Sequence, residues 1–379
     1  MKVLSLSQVF PRHTRDFVAP FLLHWCEALG KEGINVTFLV PHDEGLKLQE
    51  SWESVEIKRF RYGTDEQQNL CYRGEMASVA FSSPAGIYRL IVYLFSSFNA
   101  SRRELLENTY DHFIVHWALP SGIVALFLML LTGQKYSIIS HGTDVRLFSK
   151  AGPFKFLLKI IWRCATERFT VSNFLDSKLD LPTTSIPMPL PPFYEDRNIS
   201  SRKDNQFRIL YVGRMSNQKC LHLISEALRI SQIPESWRLR IVGDGVTKDQ
   251  FVNSCESFID QLEIFPPVQP KELPQHYQAA DVFILPSVDE GFGLALIEAM
   301  SHGCYLLGAN SGAIPEIISD ETVGKLFDTH DELRRHLDMI YQNSSCNRNK
   351  SSLWFDAHYA PSNIGKKWAT ALRRARHTD

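Results

Sequence analysis

Two carboxylates eight residues apart, Glu290 and Glu298, flank a short segment, Gly291-Phe292-Gly293-Leu294. The apolar run ahead of it, 281–286, reads as a buried parallel strand. Leu294–Ser301, apolar and alanine-containing, reads as a helix. Where a strand turns through glycine into a helix, free backbone N–H groups and the positive end of the helix dipole meet, and an anion can sit there. A phosphate site with hydroxyl-accepting carboxylates on either side suits a nucleotide-sugar. Its diphosphate would lie on the N–H groups, its sugar hydroxyls on one carboxylate and its ribose on the other. A second loop, Gly213-Arg214-Met215-Ser216-Asn217-Gln218-Lys219, also runs from a strand to a helix. Arg214 and Lys219 are five apart, so both could reach a diphosphate and take up the charge that grows on a leaving nucleotide. The plainer alternatives are a strand–turn–helix of the kind many α/β proteins contain, and two solvated cations in a surface loop.

These segments need a scaffold that brings loop ends together. The first half alternates between the two element types. Strands are expected at 2–7, Asn35–Pro41, His112–His116 and 136–140, and helices at 18–30 and Ser121–Thr132. A Pro-rich and then polar stretch, 191–206, reads as a linker. The alternation restarts with strands at 207–212, 239–243 and 281–286 and helices at 220–230, 273–280 and Leu294–Ser301, and it closes with an amphipathic helix near 362–376. Strand–helix alternation means parallel, doubly wound sheets. The chain is therefore expected to be α/β, with two Rossmann-like domains facing a central cleft. At 379 residues it is too long for one ordinary core. The expected division is 1–190, the linker 191–206, a second domain 207–355, and a terminal helix within 356–379.

The Glu-Gly-Phe-Gly-Leu run with a second Glu eight positions after the first resembles the signature of the group 1 retaining nucleotide-sugar glycosyltransferases, which have the GT-B fold. The resemblance covers nearly the whole chain, strongly over 208–324 and weakly before Leu190. It implies an acceptor mostly on the first domain, a nucleotide-sugar mostly on the second, and a terminal helix that returns to the first. It further implies that Arg214 and Lys219 contact the donor phosphates, although the family's glycine after the lysine is Cys220 here. Gly243, in Val242-Gly243-Asp244-Gly245, falls at a turn near the nucleotide, and Val268 falls where backbone lies against the base. Glu290 would hold the sugar hydroxyls and Glu298 the ribose. The His–Gly pair of such enzymes matches His141-Gly142, which places His141 near the transferred sugar.

On the acceptor side, His116 or Trp117 could line the site, with packing as the plainer reading, and Asp144 divides evenly between a functional role and a capping one. The first loop, 10–17, departs from the family. It lacks the usual Gly-Gly pair, and Arg15 and Asp16 occupy that neighbourhood.

Composition excludes other classes. A net charge of −1 gives no general attraction to nucleic acid or to an anionic membrane. The seven cysteines are scattered, without the spacing of a zinc site or a disulfide framework. No Asp-x-Asp pair in a suitable loop suggests a metal, and no cofactor is expected beyond the nucleoside diphosphate sugar as co-substrate. No G-x-G-x-x-G follows the first strand, which disfavours a dehydrogenase. The N-terminus lacks the apolar core of a signal peptide, so a cytoplasmic enzyme is expected. Two basic–apolar stretches, 88–94 and 154–163, could rest on a membrane that holds a lipid-linked acceptor. Core helices with snorkelling charges are the plainer reading.

The expected reaction is transfer of a sugar, with retention, from a UDP-, GDP- or ADP-sugar to a sugar or lipid-linked hydroxyl, as in bacterial polysaccharide, lipopolysaccharide or glycolipid synthesis. The alternatives are a nucleotide-sugar epimerase or phosphorylase-like enzyme of the same architecture, and a non-catalytic nucleotide-sugar-binding protein.

Overall fold

The structure, a computed structural model, describes residues 1–73, 76–150, 154–195, 197, 206–233, 236–343 and 348–376. Most of the linker expected over 191–206 lies outside them. The chain divides into two compact units, one of residues 1–191 with 362–379 and one of residues 192–361.

The first unit runs β1 (Lys2–Leu6), α1 (Pro20–Lys31), β2 (Asn35–Pro41), β3 (Gln49–Trp52), β4 (Val55–Phe60), α2 (Met76–Phe81), α3 (Pro84–Glu107), β5 (His112–His116), α4 (Ser121–Thr132), β6 (Ser137–Ser140), α5 (Thr143–Lys150), α6 (Phe154–Cys164), β7 (Arg168–Thr170), α7 (Asn173–Leu179) and β8 (Thr184–Ser185). Its strands lie in the order β3-β4-β2-β1-β5-β6-β7-β8. Only β3 is antiparallel. The strands of such a sheet are covered on both faces, so they read as continuous apolar runs; β1 and β2 are buried from their second residue on.

The second unit runs β9 (Arg208–Val212), α8 (His222–Arg229), β10 (Arg238–Val242), α9 (Lys248–Ser254), β11 (Leu262–Phe265), α10 (Leu273–Ala279), β12 (Val282–Leu285), α11 (Leu294–Ser301), β13 (Tyr305–Ala309), α12 (Ile314–Ile317), β14 (Gly324–Phe327), α13 (His330–Asn343) and α14 (Arg348–His358). The strand order is β11-β10-β9-β12-β13-β14, all parallel.

The last helix, α15 (Pro361–Arg376), contributes its residues from 362 on to the first unit. Trp368 anchors it there. Its indole Nε1 donates to Pro187 O at 2.8 Å, and its ring meets Trp25 edge-on at 5.8 Å between centroids.

In each sheet the chain reverses its direction of progress once, between β1 and β5 and between β9 and β12. A crevice opens outside the carboxyl ends of the strands at such a switch point, and open α/β sheets bind ligands there. The loops at these two points, with the neighbouring loops after β6 and β10, carry the chemistry-bearing residues of the sequence.

Candidate active site

In the second unit, three loops at the carboxyl edge are tied to one another. After β9 the chain turns at Gly213, whose N–H donates to Val242 O at the end of β10, 3.0 Å away. Met215 N then donates to Asp244 O at 2.8 Å. The two loops touch so closely that a Cβ on Gly243 would lie 2.0 Å from Gly213 O. Only glycine fits, and Gly243 also has a positive φ of 150°.

The loop after β9 then joins the loop after β12. Val288 N donates to Gln218 O at 3.0 Å, and Gln218 Nε2 donates back to Val288 O at 3.1 Å. These bonds set Lys219 opposite Glu290: the ammonium donates to Glu290 Oε2 at 2.6 Å, with side chains 22% and 19% exposed. The loop after β13 completes the set. Ser311 Oγ accepts from Asp289 N, and Ala313 N donates to Glu290 O at 2.9 Å. At Gly312, whose φ is 64°, an added Cβ would stand 2.5 Å from both Glu290 N and Glu290 O.

Gly293, with φ of 94°, caps α11, and no side chain caps the helix start. Leu294 is its first residue, as the sequence implied. Gly291 and Phe292 form the turn between Glu290 and that cap. One turn further, Glu298 Oε2 accepts from the hydroxyl of Tyr277 at 2.6 Å. Tyr277 is fully buried, stacks on His302 at 5.9 Å, and has its phenol pKa pushed well up by burial and by the Glu298 charge. Arg214 is exposed at the mouth of its loop, and the hydroxyl of Tyr211 donates to its carbonyl at 3.0 Å. The Tyr211 phenol is held up by burial and then by the charge of Glu290. Val268 is half-buried in the segment after β11.

In the first unit, His116 ends β5 and His141 follows β6. His116 Nδ1 and His141 Nε2 share a hydrogen bond of 2.9 Å, and the rings stack at 5.2 Å with planes 13° apart. His116 Nε2 is bonded to Ser5 Oγ on β1 at 2.9 Å. Ser5, His116 and His141 therefore form one chain of hydrogen bonds that fixes the ring of His141. Trp117 covers it at 4.5 Å, and Phe21 at 5.1 Å. Burial favours the neutral imidazole: the pKa of His141 falls to about 3, and that of His116 also falls well below its usual value. Both rings are thus neutral donor–acceptors at physiological pH.

The remaining acceptor-side candidates divide. Asp144 is buried, and its carboxylate accepts from the backbone of Ala118, Gly142 and Val145 at 3.1–3.2 Å, so it ties the loop after β5 to the loop after β6. Burial raises its pKa against the pull of those N–H groups. Asp16 is buried as well. Burial alone would raise its pKa, but Arg12 outweighs it: Nε donates at 2.7 Å and the Arg12 backbone at 3.0 Å, which holds the carboxyl below its usual range. Arg15 is exposed on the same loop. Sequence reading missed Ser5, Arg12, Gln218 and Tyr277. Each acts through a partner remote in sequence or through a local loop bond, and none carries a motif.

Among the described residues, no group of three or more His, Cys, Asp or Glu side chains is placed to hold a metal ion. No helix among them is long and apolar enough to cross a membrane.

Two Rossmann-like units built on parallel sheets define the GT-B class of fold. Within that class, residues 193–352 match the family model of glycosyl transferases group 1. Among relatives, the chain is 35% identical to the sulfoquinovosyl transferase SQD2 of Arabidopsis thaliana over 118 residues, 31% of this chain and 22% of that one. The chain thus spans about a fifth of that relative's length. It is 24% identical over 339 residues to TuaC of Bacillus subtilis, named for teichuronic acid biosynthesis, which covers 84% of this chain and 83% of that one. Among solved structures, sucrose-phosphate synthase from Thermosynechococcus elongatus superposes over 100% of both chains with a TM-score of 0.80 at 16% identity, a likeness of fold.

Proposed function

We propose that the protein transfers a sugar from a nucleoside diphosphate sugar to an acceptor hydroxyl, with retention of configuration. The observation that carries this reading is the Lys219–Glu290 pair at 2.6 Å, held by three interlocked loops in front of the uncapped start of α11. That arrangement sets a cation, a carboxylate and a helix dipole at one switch point, as donor binding needs. As the C1–O bond to the donor breaks, its electron pair goes to the leaving diphosphate, the acceptor oxygen bonds to C1, and the acceptor hydroxyl's proton passes to the departing diphosphate oxygen. Arg214, Lys219 and the N–H groups around Gly293–Leu294 are assigned to the growing negative charge, where fixed donors act strongly because they need no reorganisation. Glu290 is assigned to the sugar hydroxyls and Glu298, aimed by Tyr277, to the ribose. Gly213 and Gly243 let the two flanking loops approach the nucleotide, and Val268 is assigned to its base. In the first unit His141, held neutral, is assigned to a hydroxyl of the sugar or the acceptor. No bound cofactor is needed in this scheme.

The acceptor class is proposed as a sugar or lipid-linked sugar of a bacterial cell-surface polysaccharide or glycolipid. The alignment with TuaC along more than four-fifths of both chains supports it. The test is release of nucleoside diphosphate from UDP-, GDP- and ADP-sugars by the protein and by Glu290→Ala. The reading expects turnover of one donor and its loss in a variant that melts like the parent. Undiminished turnover in the folded variant would remove Glu290 from the reaction.

A further inference from the structure

Helices α3, α4 and α6 of the first unit lie side by side, α3 packed on α4 and α4 on α6. They connect β4 to β5, β5 to β6 and β6 to β7, all in one direction across the sheet, so right-handed crossovers put them on one face. Their inner sides are core: Tyr93 of α3, Val124 and Leu128 of α4, and Leu158, Ile161 and Trp162 of α6 are buried.

Their outer sides are also apolar. Along α3, Tyr88, Ile91 and Phe95 recur at helical spacing and are between 60% and 68% exposed. On α4, Leu130 and Leu131 are 65% and 70% exposed, and on α6 Phe156 is 74% exposed. A lone exposed leucine needs no explanation, but large apolar side chains repeated over three neighbouring helices do.

The charge on these helices indicates what covers them. They carry six cations, Arg89, Arg102, Arg103, Lys155, Lys159 and Arg163, against two carboxylates, Glu104 and Glu107. That is +4 on a chain whose total is −1. Glu104 is moreover buried and bound by Lys58 at 2.7 Å and Tyr110 at 2.6 Å, which leaves the exposed surface more cationic still. A second copy of the chain is a poor occupant, because an isologous pairing would set this positive face against itself. Apolar side chains among lysines and arginines suit the boundary of an anionic bilayer, where rings and aliphatic groups enter the headgroup region and cations meet lipid phosphates.

We propose that the outer face of α3, α4 and α6 docks the protein on an anionic lipid surface through Tyr88, Ile91, Phe95, Leu131, Phe156 and the flanking cations. The docking stands apart from the donor site in the second unit. It narrows the acceptor to one that a membrane-bound enzyme can reach, a glycan on a lipid carrier.

The experiment is sedimentation of the full chain with phosphatidylcholine vesicles, with and without phosphatidylglycerol, with no donor present. The parent protein is expected to sediment with the anionic vesicles, more weakly at high salt, and to stay in the supernatant with the neutral ones. The pair Ile91→Ser and Phe95→Ser should weaken binding at least about tenfold, since both side chains are exposed and their apolar contact with lipid is lost. The pair Lys155→Gln and Lys159→Gln should weaken it by roughly 25-fold, about fivefold for each cation near an anionic surface. All substitutions are at exposed or half-buried positions, and thermal melting checks that the variants remain folded. A folded parent that binds neither vesicle type, or variants that bind as the parent does, would overturn the proposal. Loss of a dimer in the apolar variant, without vesicle binding by the parent, would assign the face to self-association instead. Because the readout is binding alone, an inactive but docking protein and an active but non-docking one are told apart.

Discussion

Replacing Glu290 by glutamine separates two roles that removal of the side chain would merge. The carboxylate accepts from the Lys219 ammonium at 2.6 Å, with both side chains about one-fifth exposed. A donor diphosphate seated on that ammonium competes with the carboxylate. Glutamine keeps the size and an acceptor oxygen but removes one negative charge. At about 4 Å and an effective dielectric near 20, a unit charge pair is worth roughly 4 kcal/mol. Solvent access, and the loss of the native ion pair in the variant, reduce the net effect on a competing phosphate to about 1 kcal/mol, or fivefold. Glu290→Gln is therefore expected to bind the nucleoside diphosphate product about fivefold more tightly. Its transfer rate should fall by about 100-fold or more, because the hydrogen bonds to the sugar weaken as charge develops. Calorimetric titration of the product and steady-state release of nucleoside diphosphate read the two quantities. A variant that binds the product more weakly and turns over at the parent rate would refute the assignment of both side chains.

Three further outcomes follow from the geometry. Gly243→Ala should lower stability by about 2–3 kcal/mol, since its Cβ would stand 2.0 Å from Gly213 O, and a melting curve should drop by roughly 5 °C or more. Tyr277→Phe frees the Glu298 carboxylate from its 2.6 Å hydrogen bond and should weaken nucleoside diphosphate binding by about threefold to tenfold with little change in kcat; an unchanged Kd would detach Glu298 from the ribose. His141, whose pKa is depressed from 6.5 to about 3, binds its proton in the unfolded chain first. Its contribution to stability is present above pH 6.5 and is lost as pH falls toward 3, at up to about 1.4 kcal/mol per pH unit for one proton. Urea unfolding of the parent and of His141→Asn between pH 7 and 5 should give a shallower pH dependence in the variant.

The second unit's site is the part most legible in the sequence, because its logic is local. Strand, glycine turn and helix start fall within 281–301, and the structure has β12, the Gly293 cap and α11 there. The cations of 213–219 likewise stand between β9 and α8. The buried strands β1, β2 and β5 are readable for a related reason: an apolar run covered on both faces needs no partner to announce it. What stays hidden in the sequence depends on distance. Strands β3, β7 and β8 are four, three and two residues long, too short for any periodicity. The 24-residue helix α3 carries Tyr88, Ile91 and Phe95 on its exposed side and buries Ser97, Ser101 and Glu104, the reverse of an ordinary amphipathic pattern, so only its basic–apolar start, 88–94, stands out in the sequence. Ser5 lies 111 residues from His116, and no local pattern links them. The aspartates are instructive too. Asp16 and Asp144 sit in loops at carboxyl edges, where a carboxylate can meet a ligand or cap a neighbouring loop. Only the three-dimensional partners, Arg12 for one and the N–H groups of Ala118, Gly142 and Val145 for the other, reveal what each now binds.

The central claim is that the Lys219–Glu290 pair and the start of α11 hold a nucleoside diphosphate. Calorimetric titration of the parent and of Lys219→Ala with UDP, GDP and ADP tests it most directly. The account predicts that one of the three binds the parent at one site per chain and binds Lys219→Ala at least about tenfold more weakly, the loss of one charge-assisted phosphate contact. A folded parent that binds none of them, or a variant that binds as tightly as the parent, would contradict it.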